Sequence, residues 1–591
     1  MLNASKLVKI ILSVALVFSL VFLALVNFSV VWIILAICAF LFILYSIFNF
    51  DSSGGSVSFV SRLKNVPLYP VVVFIISLVF VIWGTTLGSF LANKYSVTNV
   101  EVRPSLSVTM DIAKSTIKEK PLFGSGPNTF ITQWLTYKPD DIISTVFWNT
   151  DFNNGIGLIP TFAVTTGIVG VLSWLLFLGF YIYLGIKSIF VKIDDPFIKY
   201  ILTSSFFVSL YLWIMTFVYV PSTVVFIMNF FFTGLFFASV YVAGIIPVSE
   251  RKLSVNPRMG FVSSLVIVTL IVGGLALGYG LFQNSISLWY FQKSSFALNT
   301  SNDSKLSGEY MMKAIDAVPN DVYYRSLSEI ELYKLNEILA LDPKKVKSED
   351  IQKKFSDGLA AAIKAGIAAK DADPTNYLNW ISLGRVYDAV SVPQLNVQGA
   401  YEGAGIAYGE ALRRNPKNPG ILVLFARLAL NHNDLKTAEA YALQAIQAKG
   451  NYLDAYYLLT QIEVASQNIQ AAIQSVTAAS VIDPTNPAVF FQLGLLKYNI
   501  GDYVGAIQAL EKATSMTPDY ANAKYFLGLS YEITKQHDKA IAEFEDIVKT
   551  NPDNAEVKSI LENLKAGNPI FKTPEETKPE KGDALPLKEK Q

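Results

Sequence analysis

The side chains best suited to chemistry in this 591-residue sequence cluster in one polar segment, residues 94–151, which lies between long apolar stretches. Its charges balance, so it is not a simple anion-attracting funnel. The chain has one cysteine, Cys38, which excludes a disulfide framework within the chain and a cysteine-cluster metal site. Its two histidines both lie beyond residue 431, outside this segment. The charged residues of the segment are Lys94, Arg103, Lys114, Lys118, Lys120, Lys138, Glu101, Asp111, Glu119, Asp140, Asp141 and Asp151.

A tight turn is predicted inside this segment. Residues 107–119 predict a short helix, and Gly124 and Gly126 follow it closely. Glycine tolerates the positive φ that such a turn requires. A lone G-x-G pair is weak evidence for phosphate binding, and because no strand precedes it, a nucleotide-binding fingerprint is not indicated.

Charge-free runs on both sides of the segment predict the helices that must position it. Hydrophobic residues make up 52% of the chain and charged residues 16%, and the apolar part spans 1–283, so a single soluble globule is excluded. In lipid every backbone polar group must be satisfied internally, so these runs should be helices. We predict seven spans: 8–26, 30–49, 65–93, 152–186 (starting near Gly157), two within 200–249 separated at Pro221, and 259–283.

The basic residues between the spans predict their orientation. Lysines and arginines next to membrane helices concentrate on the cytoplasmic side. With seven spans, ten basic residues fall on one side, which places the N-terminus in the cytoplasm and makes residues 94–151 an outer loop of a membrane domain, 1–283. Everything after 284 is then extracytoplasmic. The ten residues are Lys6, Lys9, Arg62, Lys64, Lys187, Lys192, Lys199, Arg251, Lys252 and Arg258.

The polar half is periodic: Pro484, Pro518 and Pro552 are equally spaced, with a period of about 34 residues. Trp380 and Leu383 begin a W-x2-L-G-x2-Y pattern. With this period and pattern, residues 377–552 resemble the tetratricopeptide repeat (TPR) family, in which small residues let paired helices approach closely. The predicted fold class is all-α: a polytopic membrane helix bundle followed by a TPR helical solenoid. We divide the second half into degenerate TPR-like helices at 284–376, an array with a capping helix at 377–565, and a disordered tail at 566–591.

Such arrays bind a protein or peptide partner on a concave face. The repeat register places Tyr457, Phe491 and Tyr525 there, in three successive repeats. The alternative is that these rings fill the packing between repeats. No basic stripe stands out along the chain, so a nucleic-acid partner is not indicated.

Two short motifs of the membrane half resemble the core of the bacterial O-antigen ligase/polymerase family, over roughly residues 66–246. The first is PLFGSGPNTF at 121–130, and the second is DFNNGIGLIPTFAVTTGIVGVL at 151–172, which contains Thr166-Gly167-Ile168-Val169-Gly170. The resemblance implies a metal-independent glycosyltransferase without a cofactor. Such an enzyme would move a glycan from an undecaprenyl-diphosphate carrier at the outer face of the cytoplasmic membrane.

The resemblance also implies site residues. Arg103 and Lys120 would hold the diphosphate, since a guanidinium is a planar, permanently charged fork, and Asn153 and Asn154 would contribute to diphosphate or glycan binding. The family histidine is replaced here by the stretch that begins at Asp151, and the chain has seven spans instead of about twelve. Asp151 would act as the base with Arg103 beside it, or it would simply cap the fourth helix, as would Asn153. The functional alternatives are therefore this transferase and a non-catalytic, membrane-anchored TPR scaffold for cell-envelope assembly.

Overall fold

A computed structural model describes residues 6–48, 66–95, 102–191, 193, 195–220, 222–246, 257–340, 348–395 and 397–570. Within these ranges the chain forms helices and no strands, so the predicted all-α class is confirmed. Two compact units are present. The first comprises residues 1–139 and 150–272, and the second comprises residues 140–149 and 273–591.

The first unit contains six of the long apolar helices and the start of the seventh, α10 (Pro257–Asn299). Each predicted span corresponds to one helix, and seven helices of the described chain are long and apolar enough to cross a membrane. Three short helices, α4 to α6, lie in the outer loop, and α6 belongs to the second unit. The bounds are α1 Lys6–Val26, α2 Ser29–Phe48, α3 Leu68–Tyr95, α4 Leu106–Glu119, α5 Phe130–Tyr137, α6 Asp140–Ile143, α7 Leu158–Phe190, α8 Pro196–Val218, α9 Thr223–Val242 and α10 Pro257–Asn299.

Aromatic packing holds α7, α8 and α9 together. Trp213 is almost fully buried, and its ring packs edge-on against Trp174 at a centroid distance of 5.6 Å. Its indole N–H donates to Thr233 Oγ1 at 3.0 Å, which satisfies a donor that lipid could not. Tyr181 likewise hydrogen-bonds Ser209 at 2.7 Å. These paired polar groups explain why a charge-free bundle still has defined contacts.

Two differences from the predicted boundaries concern the ends of the spans. The seventh span does not end near residue 283: α10 continues as one 43-residue helix to Asn299. At 1.5 Å per residue its length is about 64 Å, roughly twice the hydrocarbon thickness of a bilayer. Pro221, which was predicted to separate the fifth and sixth spans, lies outside the described residues, as do Arg62, Lys64, Lys192, Arg251 and Lys252.

The second unit is a regular helical array after α10. Its period is visible in five fully buried alanines that occupy the same position in successive repeats: Ala404, Ala438, Ala472, Ala506 and Ala540. The helices are α11 Ser304–Ala317, α12 Asp321–Leu339, α13 Ser348–Ala372, α14 Tyr377–Val390, α15 Ala400–Arg414, α16 Pro419–Asn431, α17 Leu435–Ala448, α18 Leu453–Ala465, α19 Ile469–Ile482, α20 Pro487–Asn499, α21 Tyr503–Met516, α22 Ala521–Ile533, α23 His537–Thr550 and α24 Ala555–Lys565.

Glycines at one register position set the distance between paired helices. A Cβ on Gly384 would lie 2.4 Å from the ring of Tyr408, and one on Gly528 would lie 2.7 Å from the ring of Phe544. Both rings are buried, so neither has room to move away. The helix α24 lies where a capping helix was expected, whereas the predicted disordered tail falls mostly beyond residue 570, outside the described residues.

Candidate functional site

The two motifs of the membrane half meet each other in the first unit. The helix α7 is interrupted at Gly167, whose φ of 64° and ψ of −163° are not helical. The turn formed by residues 121–126 fits into this interruption. On the C-terminal side of the break, residues 168–186 are apolar and largely exposed, and at about 29 Å their length matches a bilayer core. The break therefore falls at the outer end of this stretch, in the predicted orientation.

Four backbone hydrogen bonds join the turn to the broken helix. The two carbonyls that the break leaves without helical partners accept from N–H groups of the turn. The two N–H groups that follow the break donate to carbonyls of the turn. The turn thus caps both halves of α7, which apolar surroundings require. The bonds are Ser125 N to Val164 O (2.8 Å), Gly126 N to Thr165 O (3.1 Å), Ile168 N to Pro121 O (3.0 Å) and Val169 N to Leu122 O (3.2 Å).

Glycine is required on both sides of this junction, which we call the turn–helix junction. A Cβ on Gly124 would lie 2.5 Å from Val164 O, and a Cβ on Gly167 would lie 2.5 Å from both Gly124 N and Leu122 O. Both glycines also have a positive φ. Gly124 of the G-x-G pair therefore has a structural role: together with Gly167 it allows two backbones to touch.

Arg103 lies near the start of α7, where the resemblance places a site. Its side chain is half-buried, and its guanidinium lies 5.6 Å from the ring centroid of Tyr219. The Tyr219 carbonyl in turn accepts from the backbone N–H of Gly157 at 3.0 Å. A cation over an aromatic face is attracted by the ring quadrupole, so the arginine is held near the C-terminal end of α8 and the N-terminal end of α7.

Asp151 is half-buried, and Trp134 anchors the residues on either side of it. The indole N–H of Trp134 donates to Thr150 O at 3.1 Å, and its ring packs edge-on against Phe152 at 4.7 Å. Trp134 is fully buried, so this stretch is well anchored. The helix-capping alternative for Asp151 is wrong, because the N-cap of α7 is Gly157.

The three other predicted site residues of the outer loop, Lys120, Asn153 and Asn154, are exposed. Lys120 ends α4, where its backbone N–H donates to Thr116 O. Asn153 and Asn154 lie in the bend before α7, and neither is the N-cap. The structure therefore gives Arg103 and Asp151 defined surroundings and leaves these three side chains facing outward from the unit.

The aromatic residues predicted on the concave face of the array differ in exposure. Tyr525 is only 7% exposed and its hydroxyl donates to Glu556 at 2.9 Å; burial and that carboxylate raise the pKa of the phenol. Phe491 is half-buried and packs against Tyr520 at 5.1 Å. Tyr457, also half-buried, accepts a hydrogen bond from the amide of Asn486.

Sequence reasoning missed a second contact surface, which lies within the second unit. Residues 140–149, the loop segment, lie against the turns that connect α15 to α16 and α17 to α18. The amine of Lys449 donates to Ile143 O at 2.7 Å, and the amide of Asn451 donates to Ser144 O at 2.9 Å. The partners are far apart in sequence, and the groups recognised are backbone carbonyls. Carbonyls leave no side-chain pattern, and the flanking pair Lys417–Asp140 is one of many opposite charges along the chain, so the sequence did not indicate this contact.

Lys449 is the centre of this surface. It is 6% exposed, and burial lowers the pKa of its amine. A second carbonyl, that of Thr145, lies 3.4 Å from the same nitrogen. A buried ammonium must recover the solvation it has lost, and the loop carbonyls supply part of it.

Comparison with known proteins gives a family for the array. Residues 423–487 and 501–564 each match the tetratricopeptide repeat family. The membrane half matches no family, and no curated protein matches the chain.

Solved structures of similar fold cover only part of the chain. YrrB, a TPR protein with an unusual peptide-binding site, is 18% identical, with 33% of this chain and 97% of that chain covered and a TM-score of 0.28. PilF of Pseudomonas aeruginosa is 15% identical, covering 41% and 97%, with a TM-score of 0.30. A thermophilic TPR protein of Thermus thermophilus is 20% identical, covering 32% and 100%, with a TM-score of 0.23. By its two family matches the C-terminal region of this chain contains tetratricopeptide repeats, and the helices before it indicate a multi-pass membrane protein.

Proposed function

We propose that this chain is a membrane-anchored TPR scaffold of the bacterial cell envelope, whose array binds a segment of a partner protein at the outer face of the cytoplasmic membrane. The observation that carries the proposal is the array's hold on the loop segment. Lys449 and Asn451 donate to three consecutive carbonyls at the end of α6 and in the turn after it, so the array holds a compact piece of chain largely through its backbone.

The proposed location rests on charge. The ten basic residues beside the spans fall on one side, which supports a cytoplasmic N-terminus and an extracytoplasmic array. A seven-span anchor of this kind would hold the array close to partners that assemble outside the membrane.

Site-specific photo-crosslinking in intact cells tests the scaffold. A photoreactive residue at Tyr457 or Phe491 is expected to give a discrete adduct with one partner, since both side chains retain exposed surface. The matched control is Val481, which is 78% exposed and on a different helix of the array. Adducts of equal intensity at all three positions, or none at any, would contradict a specific binding face.

A second candidate function is glycan transfer of the O-antigen ligase type, and the turn–helix junction favours it. The two motifs that carry the resemblance are separate in sequence, yet they bond directly to each other. In this proposal Arg103 and Lys120 bind the undecaprenyl diphosphate, Asp151 takes the proton from the acceptor hydroxyl, and Asn153 and Asn154 contact the glycan. The acceptor oxygen attacks the anomeric carbon, and the carrier diphosphate leaves.

Reconstituted membranes with a labelled undecaprenyl-diphosphate glycan separate the two functions. A transferase should lose transfer in Asp151→Asn and carrier binding in Arg103→Ala, while Lys114→Ala, at a well-exposed position of the same loop, should behave as wild type. Absence of both binding and transfer in the wild-type protein would leave the scaffold as the remaining function.

A further inference from the structure

The loop segment occupies a surface made by two successive inter-repeat turns, residues 415–420 and 449–452, which we call the turn surface. We infer that the turn surface is a peptide-recognition site for a segment that begins with one helical turn and continues in a tight turn, with an acidic residue at its start, a buried aliphatic residue three positions on and a tryptophan eight positions on. In the resting chain residues 140–149 are its ligand. The inference rests on the proposed scaffold function, to which it adds a second binding site, separate from the residues tested by crosslinking.

The central contact selects backbone. Lys449 donates to the carbonyl of Ile143 and lies near that of Thr145, while Asn451 donates to that of Ser144. Residues 143–145 supply these carbonyls, and the side chain of Ile143 is buried. These carbonyls lie at the end of α6 and in the turn after it, so such contacts require a ligand that leaves them without helical partners, and they place few demands on its sequence.

The two ends of the segment supply the sequence preference. At the C-terminal end the Trp148 ring packs edge-on against Tyr452 at 5.2 Å, and one atom of it lies 3.5 Å from the position a Cβ on Gly420 would take. At the N-terminal end Lys417 pairs with Asp140 at 2.7 Å, but the carboxylate is 83% exposed. An exposed ion pair adds little affinity, so tryptophan should dominate and the acid should mainly set the direction of the ligand.

The repeat register explains why the site occurs at this point of the array. The residue that follows the second helix of each repeat occupies an equivalent position in successive repeats, and of these only Lys449 is a cation. Equivalent turns therefore lack the donor that reaches the loop carbonyls. The equivalent residues are Asn415, Lys449, Asp483, Thr517 and Asn551.

A tethered ligand competes strongly with a free one. A segment held by the same chain has an effective concentration of the order of ~1 mM. If the segment's own intrinsic Kd for the turn surface is ~10 μM, a free partner peptide would bind the wild-type chain about 100-fold more weakly than a chain whose segment has been released. The loop segment thereby restricts access to the turn surface.

Peptide binding to the full-length protein in detergent tests the inference. The probe is a fluorescent peptide with the sequence of residues 139–150, PDDIISTVFWNT. We expect weak binding to wild type, binding at least 10-fold tighter to an Ile143→Ser/Trp148→Ala variant, and no gain in Val146→Ala, whose side chain is 81% exposed in the same segment. Adding Lys449→Met to the first variant should abolish the gain.

Three results would overturn the inference: no binding to any variant, equal binding to wild type and to the released variant, or binding unaffected by Lys449→Met. Since a buried position can perturb folding, Lys417→Ala is tested as well, and it should weaken binding by less than the loss of tryptophan from the peptide does. The scaffold proposal fails separately, because crosslinks at Tyr457 or Phe491 report partner binding wherever the loop segment lies.

Discussion

Replacing Gly167 with alanine should destabilise the membrane unit, because the turn–helix junction has no space for a methyl group. The new Cβ would lie 2.5 Å from Gly124 N and from Leu122 O, both backbone atoms that no rotamer change can move. The φ of 64° with a ψ of −163° lies in a region that essentially only glycine adopts, and it costs about 1–3 kcal/mol for other residues.

The size of the effect follows from the bonds that the clash would break. Separating the turn from α7 by the necessary distance would weaken at least two of the four backbone hydrogen bonds, each with a net contribution of about 0.5–1.5 kcal/mol. Together with the strain, Gly167→Ala should lower the free energy of unfolding by about 2–6 kcal/mol. Gly124→Ala should behave similarly, because its Cβ would lie 2.5 Å from Val164 O.

The assay is unfolding of the purified protein in mixed micelles by sodium dodecyl sulfate, followed by tryptophan fluorescence. Gly179→Ala is the matched control, since Gly179 lies in the same helix with no atom within 4 Å of its Cβ position. It should leave stability unchanged or raise it by about 0.5–1 kcal/mol. If Gly167→Ala and Gly179→Ala unfold at the same detergent fraction, the junction does not exist as described and the reasoning is refuted.

Three further predictions concern the array and are checked by unfolding of the full chain. Gly384→Ala should destabilise the array by about 1–3 kcal/mol, because its Cβ meets the buried Tyr408 ring at 2.4 Å, whereas Gly409→Ala, which meets nothing, should not. Tyr408→Phe should cost about 1–3 kcal/mol, since its hydroxyl donates at 3.0 Å to Asp388, whose pKa is already raised by burial; a loss under about 0.5 kcal/mol would count against this contact. The hydrogen bond to Glu532 raises the pKa of His537, so its stabilising contribution is present below about pH 6.5 and is lost as the pH rises through the folded-state value. A His537→Gln variant should therefore show a flatter dependence of Tm on pH between about 6 and 8 than wild type, and an unchanged slope would contradict the assignment.

Regular features of the fold could be read from local patterns. A charge-free run long enough to cross a bilayer must pair its own backbone polar groups, which a helix does. Each predicted span corresponds to a helix in the structure. The equal spacing of Pro484, Pro518 and Pro552 likewise predicted the array, because every repeat must bury the same face against its neighbour.

The candidate site was less accessible to prediction. The motif residues around Gly124 and Gly167 could be recognised as a pair only through a family resemblance, and their contact consists of backbone bonds that leave no complementary side-chain pattern. Asp151 could equally have been a helix cap by sequence, and only the conformation of Gly157 at the N-cap decided against it.

The sequence alone therefore determined the helical class, the candidate membrane spans and the repeat register. In each of these the same requirement, pairing of the backbone or burial of one helix face, recurs along the chain. The tertiary structure alone decided the single contacts. The turn capping both halves of α7 and the loop segment on Lys449 each join residues that are distant in sequence. Both depend on backbone carbonyls or N–H groups, which nearly every residue type carries, so their partners become evident only when the chain has folded.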